Sequence, residues 1–215
     1  MPPLPDAFYK DPALTAFMEK IGPCRLTSSS QQSLYTALIR AVTGQQLHNA
    51  AAERIFARLC SLSPSENLTP PSPEKLLLFS DTELRTCGLS FAKMNTLREI
   101  AKSRQEGIIP SLEEAQKHDD EALISQLTTI KGVGRWTVEM MLIFTLHRPD
   151  IFPAGDFGVQ EGWRRLHSMP ERLSPKKLRL ATLSFSPSRS ILTWYCWQAK
   201  ALLPAIPHTK HPKTL

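Results

Sequence analysis

Two short stretches of this chain combine residue types that can do chemistry. The first is Thr128-Thr129-Ile130-Lys131-Gly132-Val133-Gly134-Arg135-Trp136-Thr137. A segment rich in Ala122, Leu123, Ile124 and Leu127 leads into it, and one carrying Val138, Met141, Leu142 and Phe144 leads out. Glycine allows positive φ and a close approach of backbone to another molecule. A glycine opening a helix also leaves first-turn N–H groups and the positive dipole end facing outward, which suits a phosphate oxygen. The second stretch, Phe152-Pro153-Ala154-Gly155-Asp156, places a carboxylate 22 residues after Gly134, just before a new helical pattern. Such a carboxylate can cap the helix. It can also stabilise nearby positive charge or orient an attacking water. Taken alone, Gly-Val-Gly also fits an ordinary corner between two helices, and Asp156 fits a simple N-cap.

The elements that must hold these groups are helical. Eighteen prolines against nine glycines mark many helix boundaries and few tight hairpins. Apolar residues recur at helical spacing, and no long strand-like alternation occurs. The pattern predicts helices near 10–20, 33–43, 47–62, 73–79, 81–87, 91–106, 111–117, 119–128, 135–147, 157–167, 175–184 and 188–202. Leu47, Ala51, Ile55, Leu59 and Leu62 are expected on one face of the third of these. Asp81 and Asp119 are expected N-caps, and Val133 should tuck between the two helices flanking it. The fold class is all-α. Hydrophobic residues at 41% and charged residues at 21% are ordinary globular values. No apolar run approaches the roughly 20 residues of a membrane span. The N-terminus lacks a secretory pattern, so an intracellular protein is expected, nuclear in a eukaryote and in the cytoplasm or nucleoid of a bacterium. Cys24, Cys60, Cys87 and Cys196 are widely spaced and read as free, buried thiols.

The formal charge of +6 is unevenly placed. Residues 1–160 carry 16 basic and 18 acidic side chains, whereas residues 161–215 carry 10 basic and two acidic ones. A basic C-terminal quarter permits a polyanionic partner.

Taken together, Ile130-Lys131-Gly132-Val133-Gly134-Arg135-Trp136-Thr137 and Phe152-Pro153-Ala154-Gly155-Asp156 resemble the signature of the helix-hairpin-helix, Gly/Pro–Asp superfamily of base-excision DNA glycosylases. The chain is most similar to its alkylbase branch, the 3-methyladenine DNA glycosylase II type. Ala41-Val42-Thr43-Gly44-Gln45-Gln46-Leu47, Cys87-Gly88-Leu89-Ser90 with Lys93, and Pro187-Ser188-Arg189-Ser190 leading into Trp194-Tyr195-Cys196-Trp197 extend the likeness over about 35–200.

The resemblance implies two helical subdomains with the active site in the cleft between them. One is expected from 1–34 plus 155–215, the other from 35–154 with the hairpin at about 119–147. It implies a monomer that binds double-stranded DNA containing damaged bases, flips out an alkylated purine (3-methyladenine, and 7-methylguanine in second place) and hydrolyses its N-glycosidic bond. Asp156 would be the catalytic carboxylate. Members that also cut the strand carry lysine where this chain has Trp136, so no lyase activity is expected; iron–sulfur branches need clustered cysteines that are absent here. Trp136 would stack the cationic base, with Trp163, Phe157 and Tyr35 as further pocket candidates. Lys131, Gly132, Val133, Gly134, Arg135, Thr137 and Arg189 are candidates for DNA-backbone contact, and Arg164, Arg165 and Lys200 for phosphates beside the cleft. Gln46, Leu47 or His48 would fill the vacated stack. No cofactor is required, although carbonyls of Thr128, Ile130 and Val133 could hold a sodium or potassium ion. Other readings are a non-catalytic hairpin module binding distorted DNA, or a glycosylase for deaminated or mismatched bases.

Overall fold

The computed structural model describes residues 3–26, 32–63 and 68–206, and among these residues it contains helices and no strands. The helices are α1 (Ala7–Lys10), α2 (Pro12–Ile21), α3 (Leu34–Gly44), α4 (Asn49–Ser61), α5 (Pro73–Leu78), α6 (Asp81–Thr86), α7 (Phe91–Gln105), α8 (Leu112–Lys117), α9 (Asp120–Leu127), α10 (Arg135–Phe144), α11 (Phe157–Leu166), α12 (Pro175–Ala181) and α13 (Arg189–Leu202). A single 3-10 turn spans Leu183–Phe185. No helix among the described residues is long and apolar enough to cross a membrane.

Short polar side chains start most of these helices. Ser33, Ser72, Ser90, Asp119, Asp156 and Ser174 each accept a hydrogen bond from a first-turn N–H, answering donors that have no partner inside the helix. Ser80 with Glu83 and Ser111 with Glu114 form reciprocal capping boxes. Ser80 is therefore the cap of α6, and Asp81, the expected cap, is its first helical residue. Three other boundaries differ from expectation. The helix expected from 47 begins at Asn49, which leaves Leu47 outside it. The helix expected to reach 147 stops at Phe144, and His147 takes a left-handed φ of 53°. The segment expected as 175–184 breaks at Thr182 into α12 and the 3-10 turn.

The chain divides into two compact units: Met1–Thr27 with Arg148–Leu215, and Ser28–His147. In the unit built from both chain ends, Phe8, Leu14, Phe17, Trp163, Leu178, Phe185, Leu192 and Tyr195 share one buried core. Within it, α11 and α13 pack against each other. A Cβ on Gly162 would fall 1.8 Å from the Cys196 carbonyl oxygen, so only glycine lets these helices approach this far. Below that contact, buried Glu161 pairs with Arg164 and Arg165 at 2.8 Å. The two guanidiniums also bind the carbonyls of Pro170, Lys200, Leu203 and Ile206.

The middle unit is arranged around α3, which packs against α4, α7 and α10. Leu34, Leu38, Ile39 and Val42 of α3 are buried, as are Phe56 and Leu59 of α4, Met94, Leu97 and Ile100 of α7, and Val138, Met141 and Leu142 of α10. These spacings of three and four residues are the inward stripes of amphipathic helices.

Candidate nucleic-acid interface and active carboxylate

The hairpin joins α9 to α10 through residues 128–134. Val133 donates to the Ile130 carbonyl at 2.9 Å, and its side chain is buried as expected. The two glycines have different reasons to be there. Gly132 has φ +89°, and a Cβ on it would lie 2.0 Å from Thr96 Oγ1 of α7, so its reason is internal. Gly134 has φ −91°, and a Cβ on it would meet nothing within 4 Å. Among the described residues, no contact demands glycine at 134. As the N-cap residue of α10 it has no side chain with which to cap, so that helix start faces outward without an anion of its own.

The carbonyls of Thr128, Ile130 and Val133 lie along this turn. They are neutral oxygen donors, which suit a monovalent cation better than a divalent one. No group of three or more His, Cys, Asp or Glu side chains that could hold a metal occurs among the described residues.

Between α3 and α4, the chain makes a tight turn in which Leu47 N–H reaches Gly44 O at 3.1 Å. Gln46 sits at φ 59°, a left-handed conformation that costs a non-glycine residue about 1–2 kcal/mol. Gln46, Leu47 and His48 are all exposed. Leu47, a natural core residue by type, is 40% exposed because it precedes the helix whose inner face it was expected to join. The turn is tied down from two sides. Gln45 Nε2 donates to Thr137 Oγ1 at 3.0 Å, and Lys93 Nζ donates to the carbonyls of Thr43 and Gln45 at 2.9 Å each. Burial holds the Lys93 ammonium below the usual lysine range.

In the other unit, Asp156 is the N-cap of α11. Its Oδ1 accepts the Val159 N–H at 2.8 Å and the Trp197 indole N–H at 3.0 Å. A Cβ on Gly158 would stand 3.0 Å from both Asp156 Oδ1 and Trp197 Cδ1. Gly158 and Gly162, one helical turn apart, thus let α13 bring Trp197 against the carboxylate. Capping does not use up the carboxylate: the bonds from Val159 N–H and Trp197 N–H both go to Oδ1 and fix its position. Next to it, Phe157 is 57% exposed and lies under the Arg172 guanidinium at 4.7 Å.

Several candidates prove to be committed elsewhere. Tyr35 is buried, its hydroxyl donating to Pro71 O at 2.8 Å, and burial drives its pKa up. It lies at the opposite end of α3 from Gly44, about 14 Å away at 1.5 Å per residue. Trp163 is a core residue stacked on His167, with ring centroids 4.0 Å apart, and edge-on to Phe185. Thr137 is 1% exposed, so its hydroxyl braces Gln45 rather than reaching a phosphate. Arg135 pairs with Glu121 and Glu139, and Arg189 makes a two-pronged pair with Asp150 at 2.8 Å on each arm. Arg164 and Arg165 are bound to Glu161 and to carbonyls, the Lys200 carbonyl being one that Arg165 donates to. The charges of Arg164, Arg165 and Arg189 are therefore engaged within the protein. Lys131 is exposed, and Trp136 is 38% exposed at the start of α10.

Three contributors carried no role in the sequence reading: Trp197, Lys93 and Thr96. Trp197 stood in an aromatic run that packing alone accounts for. The signal for Lys93 was a cation in the first turn of a helix, where the dipole disfavours it.

The family model for HhH-GPD superfamily base excision DNA repair proteins matches residues 39–187, a span that holds both the hairpin and Asp156. The chain belongs to this superfamily. Among curated relatives, the DNA-3-methyladenine glycosylase 1 of Schizosaccharomyces pombe is 41% identical over 177 residues, covering 81% of this chain and 76% of that protein. An alkylbase DNA glycosidase-like protein of the same yeast is 34% identical, covering 87% of this chain and 88% of that one. A solved structure of the yeast 3-methyladenine DNA glycosylase in complex with abasic DNA matches with a TM-score of 0.83 and 38% identity, covering 89% of this chain and 93% of that one. For a member of this superfamily, the departure from sequence expectation lies in the supporting residues, not in the signature itself.

Proposed function

We propose that this protein is a monofunctional DNA glycosylase that releases alkylated purines, 3-methyladenine above all, from double-stranded DNA. The observation that carries the reading is Asp156, a carboxylate fixed by Val159 N–H and Trp197 N–H at a helix start. The named relatives support the alkylbase assignment.

The chemistry follows from the substrate. A base inside duplex DNA is out of reach, so its nucleotide must rotate out at a cost of a few kcal/mol. The open start of α10 at Gly134, together with Lys131, would hold a backbone phosphate without reading sequence. Gln46, Leu47 or His48 would occupy the emptied stack, with Gln46 held ready by its turn. An N3- or N7-alkylated purine is already cationic and leaves without acid help. Its departure puts oxocarbenium character on the sugar, and the Asp156 carboxylate stabilises that charge and orients water. The exposed Trp136 indole supplies an electron-rich face, worth about 1–2 kcal/mol to a desolvated cation. Trp136 also stands where strand-cutting relatives need an amine, which supports hydrolysis without lyase chemistry. A sodium or potassium ion on the Thr128, Ile130 and Val133 carbonyls would add positive charge beside a phosphate, and no step of base release passes through it.

Incubation with duplexes containing 3-methyladenine, 7-methylguanine, inosine or uracil tests the reading. Methylated purine should be released and the abasic strand should stay intact until alkali is added. Salt-dependent binding without product would mark a binding module; release only from inosine or uracil would change the substrate class. Strand scission without alkali would remove the monofunctional assignment.

A further inference from the structure

Lys93 sits where helix electrostatics disfavour it. It is the third residue of α7, its own N–H taken by the Ser90 cap, and a cation there faces the positive end of the helix dipole. Its Nζ reaches instead to the C-terminal end of α3 and the turn beyond. The Thr43 carbonyl it binds belongs to the last turn of α3, at the negative end of that helix.

The second carbonyl is of a different kind. Gln45 O belongs to the central peptide of the Gly44–Leu47 turn, in which Gln45 has φ −51° and ψ 131° and Gln46 has φ 59°. These are the angles of a type II turn, which normally places glycine or asparagine where Gln46 stands. A type I turn joins the same ends with the central peptide flipped over, and it returns that residue to negative φ. The flip would turn Gln45 O away from Lys93. The Gln45 side chain, bound to Thr137, belongs to the residue before the flip. Among the described contacts, Lys93 is the donor on the peptide that distinguishes the two turns.

We propose that Lys93 is a positioning residue that holds the central peptide in its type II orientation, and so fixes the direction in which the Gln46 side chain leaves the turn toward the space an extruded base vacates. This rests on the reading of Gln46 as the residue that fills the stack. It also gives α7 two duties on adjacent turns: Lys93 sets the turn between α3 and α4, and Thr96 packs under Gly132 of the hairpin.

A double-mutant cycle tests it. Lys93→Met keeps an unbranched stem and removes the donor; Gln46→Gly removes both the aimed side chain and the left-handed strain. Single-turnover base release and the fluorescence of 2-aminopurine beside the lesion report extrusion, and binding to undamaged duplex reports the backbone contacts. In the Gln46 protein, Lys93→Met should lower base release and the fluorescence change about tenfold, equivalent to 1.4 kcal/mol, with affinity for undamaged duplex unchanged. In the Gln46→Gly protein it should cost little more, because there is no side chain left to aim. Equal losses in both backgrounds, or no loss in either, would overturn the role. If Lys93→Met does not fold, Gln46→Gly alone still decides: with the peptide held in the type II orientation, glycine relieves the strain and Tm rises, whereas a lowered Tm refutes the clamp. A wild-type protein that releases no methylated purine refutes the glycosylase reading instead, while the Tm comparison still judges the turn.

Discussion

Helices α10 and α11 begin in opposite ways. The start of α10 is Gly134, which has no side chain, takes φ −91° and faces space where a Cβ would touch nothing. The start of α11 is Asp156, whose own carboxylate answers Val159 N–H. Both ends carry the same partial positive charge, yet one is left for an anion from outside and the other is neutralised from within. A phosphate drawn to α10 would be repelled at α11, where the fixed negative charge favours a cation. On the proposed function, the same backbone feature would serve affinity in one unit and chemistry in the other, with a single side chain making the difference.

That contrast can be broken from either side. The largest effect is expected from Asp156→Asn, which keeps an oxygen for Val159 N–H but removes the charge. Base release from methylated duplex should fall on the order of 10³-fold with DNA binding retained; near-normal single-turnover rates would remove Asp156 from the chemistry. Trp197→Phe deletes one donor to the carboxylate, and kcat should fall about tenfold, the effect of a lost hydrogen bond to a charged group. An unchanged kcat would leave Trp197 as packing only. Gly134→Ser works in the opposite sense, because it gives α10 a cap of its own. It should raise stability by a few tenths of a kcal/mol while weakening duplex binding several-fold, so a Tm measurement and a binding isotherm should move apart. A last effect shows only in acid. Arg164 and Arg165 beside Glu161 hold its pKa down to about 2, against an ordinary 4.5. A carboxyl depressed by folding contributes stability that is complete above its unfolded value and is lost as pH falls through its folded one. Tm should therefore drop between about pH 4.5 and 2, and the drop should be shallower in Glu161→Gln.

What the sequence revealed and what it hid follow from the range of the interactions. Helical spacing, short polar caps and the Gly-Val-Gly and Asp156 stretches are local, and they foretold an all-helical protein of this superfamily. Side-chain commitments are not local. Nothing near Arg189 announces Asp150, 39 residues earlier, and nothing near Thr137 announces Gln45, 92 residues earlier. Leu47 read as core because its type and spacing fit an inner face; the turn closed by Leu47 N–H delays the helix by two residues and leaves the side chain outside. Trp197 was invisible as a partner of Asp156 because two glycines on a different helix decide how closely it may approach.

The contact at Gly162 has a practical consequence as well. Cys196, whose carbonyl lies against that glycine, is fully buried, and burial pushes its thiol far above the usual range. It cannot react with a labelling reagent until α13 lifts from α11. Cys60 and Cys87 are sealed in the same way within the middle unit, whereas Cys24 is only partly covered. The protein thus carries an endogenous thiol clock in each unit. Pulsed alkylation read by mass spectrometry would time the opening of each unit separately, with and without DNA, in the unmodified chain.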